Sequence, residues 1–150
     1  LEDDAVELYE AQLNLLRREP DDYRAISAQT LSRDAELRQI SVRRLMILPR
    51  KLAFETGMEL VFENNDERLR EWLQADLEAL LRRMFVLGAF AGETEADSFR
   101  IVTDERVNTP QSVDRGQLIA LIQVAPSQPT EFITVELRRV GGENIQAREV

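Results

Sequence analysis

The chain has 150 residues, enough for one domain that buries roughly 70% of its unfolded surface. It carries 28 acids against 19 bases, a net charge of −9, which argues against a general nucleic-acid binder and disfavours attraction to an anionic membrane surface. Cysteine and histidine are both absent, so disulfides, thiol nucleophiles, cysteine zinc sites, Ser-His-Asp triads and HExxH metal sites are excluded.

Residues 3–18 are expected to form a helix. Val6, Tyr9, Leu13 and Leu16 recur at helical spacing, with acids at the start and Arg17-Arg18 at the end. Pro20 with Asp21-Asp22 ends it. A short strand is expected at 23–28 and a turn over Thr30–Glu36. The chain opens on Leu with a helix almost at once, so it is expected to be a piece of a longer polypeptide.

A second helix is predicted over Ile40–Met58. Its apolar face is Val42, Leu45, Met46, Leu48, Leu52 and Phe54. Pro49 should kink it or start a new helix there, because proline lacks the N–H and clashes with the preceding turn. Leu60–Phe62 reads as a short strand. Asp66–Leu87 is the strongest helical pattern, with Leu69, Trp72, Leu73, Leu77, Leu80, Leu81, Met84 and Phe85 at steps of three and four. Asn64 and Glu67 resemble a capping box at its start. Trp72, Leu73, Leu77, Leu80 and Leu81 are expected to be core.

The last third changes period. Strands are predicted at Ser98–Thr103, at Leu118–Val124 (apolar on both faces) and at Glu131–Val140. In the last of these, Phe132, Thr134, Glu136 and Arg138 alternate with Ile133, Val135, Leu137 and Arg139. Thr109–Gly116 is a turn-rich connection, and Ala125–Pro129 a stiff turn. Gly141-Gly142 is a flexible joint. The tail beyond it is polar, with Ile145 and Ala147 two apart on one face of an extended strand.

Little here suggests catalysis. Glu55, Glu59 and Glu63 lie four apart, and Asp104-Glu105 opens a loop, but a solvated face explains both. Asp97, Asp104 and Asp114 lack the spacing of a calcium loop. No GxxxxGK or GxGxxG is present. Lys51, the one lysine beside 18 arginines, lies on a helix next to Arg50. The excess of arginine suits bidentate pairing with carboxylates within or between subunits.

The order of several segments carries a resemblance. Ser41-Val42-Arg43-Arg44-Leu45, after Thr30-Leu31-Ser32, resembles the "VNVRRL" helix of contractile tail sheath proteins. Leu60-Val61-Phe62-Glu63-Asn64-Asn65-Asp66 is similar to that family's "WVVFEPND". Leu87-Gly88-Ala89-Phe90-Ala91-Gly92 is similar to its "GALAG" exit, and Phe99 to Asp104 to its "FVRCD" strand. Asp114-Arg115-Gly116-Gln117-Leu118-Ile119, Val124-Ala125-Pro126 and Pro129-Thr130-Glu131-Phe132-Ile133 resemble "DxGRLIxxIGVAPxxPAEFVI". Glu59 or Leu60 stands where the family has tryptophan, Asn64 or Asn65 where it has proline, and Pro49 interrupts a helix usually unbroken.

The resemblance implies a mechanical protein. Sheath subunits assemble with copies of themselves as stacked six-fold rings around an inner tube, between baseplate and terminator proteins. The partners implied include neither nucleic acid nor a directly contacted membrane, and no cofactor or metal is expected. Assembly is implied in the bacterial cytoplasm, in a virion or a phage tail-like particle. The linkage implied is strand exchange, with residues 1–32 a lead-in, 33–140 the C-terminal sheath domain and 141–150 a linker arm. The interface residues expected are Phe132, Thr134, Glu136 and Arg138 on an edge strand, and Gly141, Gly142, Ile145, Ala147 and Val150 on the arm. The expected fold is α+β: two long helices and short helices packed on a mixed sheet of about four strands, with an extended C-terminal arm. Another tail or baseplate component is the alternative, or, from a different class, a carboxylate-dependent hydrolase.

Overall fold

The structure, a computed structural model, describes residues 7, 8, 10–126, 133–140 and 144–149. The chain makes two compact units, Leu1–Leu45 and Met46–Val150. Strands β1 (Leu16–Arg18) and β2 (Tyr23–Ala25) pair antiparallel in the first unit. Then come helices α1 (Ile40–Glu59) and α2 (Glu67–Val86), and the short α3 (Glu95–Ser98). Strand β3 (Phe99–Val102), short helix α4 (Pro110–Asp114) and strands β4 (Leu118–Val124), β5 (Ile133–Val140) and β6 (Asn144–Glu149) follow.

The expected helix over 3–18 is cut short. Ala11 N–H donates to Glu7 O at 2.9 Å, but Gln12 has φ 57°, a left-handed value that ends a right-handed helix. The following residues form a hairpin instead. Its turn is Glu19-Pro20-Asp21-Asp22, where Glu19 N–H donates to Asp22 O at 2.8 Å. Asn14 then clamps the return strand, donating from Nδ2 to Gln29 O at 3.0 Å and accepting at Oδ1 from Gln29 N–H at 2.7 Å. All six residues of β1 and β2 are exposed.

Helix α1 runs unbroken through Pro49, whose ring is buried. Met46, Pro49, Ala53 and Gly57 are buried at steps of three and four, while Leu48 and Phe54, expected on the inner face, are exposed. Asp66, rather than Asn64, caps α2 and accepts from Leu69 N–H at 2.8 Å. The buried stripe of α2 is Leu73, Leu77, Leu81 and Met84. Leu80 is half-buried. Trp72, expected in the core, is 46% exposed, because it lies about 100° around the helix from Leu73. Gly88, at φ 74°, ends the helix: its N–H donates to Phe85 O and that of Ala89 to Met84 O.

Leu60–Phe62 is a turn, not the strand expected. Its carbonyls face an arginine instead of a sheet partner, and Phe62 is 87% exposed.

The main sheet has the order β3-β4-β5-β6 and is antiparallel throughout, which corrects the expected mixed sheet. A parallel neighbour needs a crossover connection. Here the long connection between β3 and β4 turns back instead, stapled by Asn108. That buried side chain donates from Nδ2 to Thr103 O and Ile119 O, both at 2.7 Å, and accepts from Ile119 N–H at 2.9 Å. Period-two alternation puts Phe99, Ile101, Ala120, Ile122, Val124, Ile133, Val135 and Leu137 on one buried face. Helix α2 packs along β3, and α1 meets this face at Gly57.

Candidate assembly site

Of the residues expected at a subunit interface, the described ones lie on the last two strands. Thr134, Glu136 and Arg138 lie on β5, on the face opposite the core. Ile145 and Ala147 lie on β6, Ile145 buried and Ala147 half-buried. Phe132, Gly141, Gly142 and Val150 lie outside the described residues. Within this single chain, β5 is not an edge strand, because β6 returns and pairs with it over six residue pairs from Val140↔Asn144 to Val135↔Glu149. The expected edge and arm are therefore joined to each other, and β6 forms the outer edge.

Three contacts define the joint. On the inner face, Ile145 sits beside Gly57 of α1. A Cβ at residue 57 would stand 3.0 Å from Ile145 Cγ2 and 3.0 Å from Leu137 Cδ1, so glycine leaves the notch that the isoleucine fills. On the outer face, Glu136 is held by two arginines. Arg138 Nε donates to Oε1 at 3.0 Å and Nη2 to Oε2 at 3.3 Å, while Arg148 Nη2, from β6, donates to Oε1 at 3.2 Å. The Glu136 side chain is only 12% exposed, so this cluster is screened less than a surface pair.

The third contact is at the root of the strand. Arg139 points inward from β5, opposite Ile145, and is buried. Its Nη1 donates to Leu60 O, which also accepts from Glu63 N–H at 3.1 Å, to Val61 O at 3.5 Å and to Glu63 O at 2.8 Å, so one guanidinium gathers three carbonyls just past the end of α1. Burial pushes its guanidinium pKa down and Glu63 opposes the shift, yet an arginine stays charged. Sequence reasoning placed Arg139 on the same face as Ile133, Val135 and Leu137 without giving it a role. The available signal was a charge at a core position of an alternating strand, which demands polar partners. Gly57 and Arg148 carried no such local signal.

A separate groove of about 540 Å³ runs between α2 and the loop after β3, lined by Glu67, Arg70, Glu71, Gln74, Thr103, Asp104, Glu105 and Arg106. It holds several carboxylates. Arg106, bonded to Asp104 at 2.8 and 3.1 Å, keeps that carboxyl below its usual range, the opposite of what a general acid needs. Among the described residues, no group of three or more acids could hold a metal ion. No described helix is long and apolar enough to cross a membrane.

No family model matches the chain. Over 97 residues, 65% of this chain and 14% of the relative, it is 33% identical to the tail sheath protein of Vibrio phage KVP40, isolated on Vibrio parahaemolyticus. Its fold matches a chain in the cryo-EM structure of the anti-feeding prophage baseplate, with a TM-score of 0.77 at 24% identity, over 89% of this chain and 38% of that one. It also matches a chain of the contracted sheath complex of PVC, an extracellular contractile injection system, with a TM-score of 0.70 at 25% identity, over 81% of this chain and 35% of that one. By sequence and fold together, this chain is similar to proteins of contractile sheaths. It spans only 14% of the length of the phage relative.

Proposed function

We propose that the chain is a structural subunit of a contractile sheath. It polymerises with copies of itself as stacked six-fold rings around an inner tube, and contraction drives that tube through a target envelope. Baseplate and terminator proteins bound the stack, and assembly occurs in the bacterial cytoplasm before the particle acts. The work is mechanical, so neither nucleotide nor metal takes part. Residues 33–140 form the sheath domain, 1–32 lead into it, and 141–150 act as an arm.

The observation that carries this reading is the β5–β6 joint in a chain related to sheath proteins. Strand β6 is attached mainly by backbone pairing and buries one large apolar side chain, Ile145. Backbone pairing places little demand on side chains, so a strand of a neighbouring copy fits the same edge. Each bond contributes only about 0.5–1.5 kcal/mol net, which allows exchange, while repetition through a tube gives a continuous mesh. A strand folded home in the free subunit also covers an edge that would otherwise template aggregation. Exchange of an identical element between protomers keeps its contacts unchanged.

Truncation after Val140, in the native-length protein, tests the reading. The truncated subunit should keep its helical circular-dichroism signal, because α1, α2 and the β3-β4-β5 sheet do not depend on β6 for chain continuity. It should form no long tubes in negative-stain images. Normal tubes from the truncated subunit refute the arm.

A further inference from the structure

The two side chains that locate β6 lie on opposite faces of the sheet. Ile145 is on the inner face, in the notch at Gly57. Arg148, three residues on, has the opposite parity and reaches Glu136 on the outer face at 3.2 Å. Arg148 is also directly opposite Glu136 in register.

This pairing is satisfied in one register only. A slip of one residue exchanges the faces, exposing Ile145 and turning Arg148 toward the core. A slip of two keeps the faces but sets Gln146 or Val150 against Glu136, with Glu143 or Ala147 in place of Ile145. Neither both fills the notch and adds a second arginine to Glu136 beside Arg138.

We infer that Gly57 and Glu136 form a two-sided lock for an incoming C-terminal strand, and that its occupant in the assembled sheath is the strand of a second copy. An exchanged element makes in its neighbour the contacts it makes at home, so Ile145 enters the neighbour's notch and Arg148 meets the neighbour's Glu136. The inference rests on the strand-exchange reading and adds what that reading lacks, a rule for which strand is accepted and in which register. Charge supports the same occupant. A subunit of net charge −9 repels its copies at a distance, and the Arg148–Glu136 contact supplies opposite charges at the point of joining. Any strand offered to this edge must carry a branched apolar residue and, three positions later, a cation.

Charge exchange in the native-length protein tests the lock, with circular dichroism and gel filtration showing each variant folded. The Glu136→Arg variant brings three arginines together and should raise the critical concentration for tube assembly about tenfold or more. The Arg148→Glu variant should be weakened less, because Arg138 can bridge the two carboxylates. The double variant E136R/R148E should assemble near the parental concentration. An equimolar mixture of the two single variants should form tubes containing both, since each accepts the other's strand with opposite charges matched. On the inner face, Gly57→Val should impair assembly and Ile145→Ala should partly restore it. If the double variant assembles no better than E136R, the outer half of the lock is wrong. If G57V assembles like the parent, the inner half is wrong. If the double variant assembles but the mixture does not, the contact stays within one chain, and strand exchange fails with the lock. If all variants assemble like the parent while truncation after Val140 blocks tubes, strand exchange stands and the lock alone is overturned.

Discussion

Replacing Arg139 with leucine should destabilise the domain by about 3 kcal/mol, because the carbonyls of Val61 and Glu63 lose the guanidinium donor and that of Leu60 loses one of its two donors. The carbonyls of Leu60, Val61 and Glu63 all receive a bond from one guanidinium nitrogen. They lie just past the end of α1, where the helical ladder stops and, among the described residues, Leu60 O alone of the three accepts a further backbone bond, from Glu63 N–H at 3.1 Å. For a chain of this size the melting temperature should fall by about 10 °C. Arg139→Lys should fall between leucine and the parent, since an ammonium can donate but lacks the planar fork. A leucine variant melting at the parental temperature contradicts the role assigned to this residue.

The core of the helix–sheet layer gives the second large effect. Leu77 is buried in the middle of the α2 stripe, so Leu77→Ala should cost about 2–5 kcal/mol in chemical unfolding. Trp72→Ala removes a larger side chain but should cost about 1 kcal/mol, because nearly half of that side chain is in water. The comparison is sharper than either value. If the tryptophan variant proves the less stable of the two, the orientation of α2 is wrong.

Helix α2 and strand β5 were legible in the sequence because each buries a face at its own period, and that pattern is local. Trp72 was not legible in the same way. A stripe on a helix has margins, and hydropathy does not say which apolar residue falls outside them. The hairpin that follows Gln12 was not legible either. Leu8, Leu13, Leu15 and Leu16 fit a helical spacing, but the Glu-Pro-Asp-Asp turn and the left-handed Gln12 favour a hairpin. Leu60–Phe62 reads as a strand from its apolar run. It is a turn closed by Leu60 N–H to Gly57 O and Glu63 N–H to Leu60 O, and its carbonyls are gathered by Arg139, 79 residues later than Leu60, which no local window contains.

The candidate assembly site was legible in part. Alternation placed Thr134, Glu136 and Arg138 on one face, and the two-residue spacing put Ile145 and Ala147 together. The return of β6 to its own β5 was not legible. Strand pairing is made by backbone groups that every residue possesses, so sequence cannot distinguish pairing within a chain from pairing between chains. Gly57 was likewise invisible as a notch, since its meaning depends on a strand that arrives 88 residues later at Ile145.

Engineered cysteines make that distinction directly, because the parent chain has none. Arg138 and Gln146 are register partners on the outer face of β5 and β6, at a separation that suits a disulfide. Tubes of the native-length protein carrying both Arg138→Cys and Gln146→Cys are oxidised, denatured without reductant and run on a gel. Strand exchange predicts a ladder of covalent dimers, trimers and longer chains, because each arm is bonded to a neighbour's β5. A single monomer band, with its two cysteines joined to each other, would contradict it.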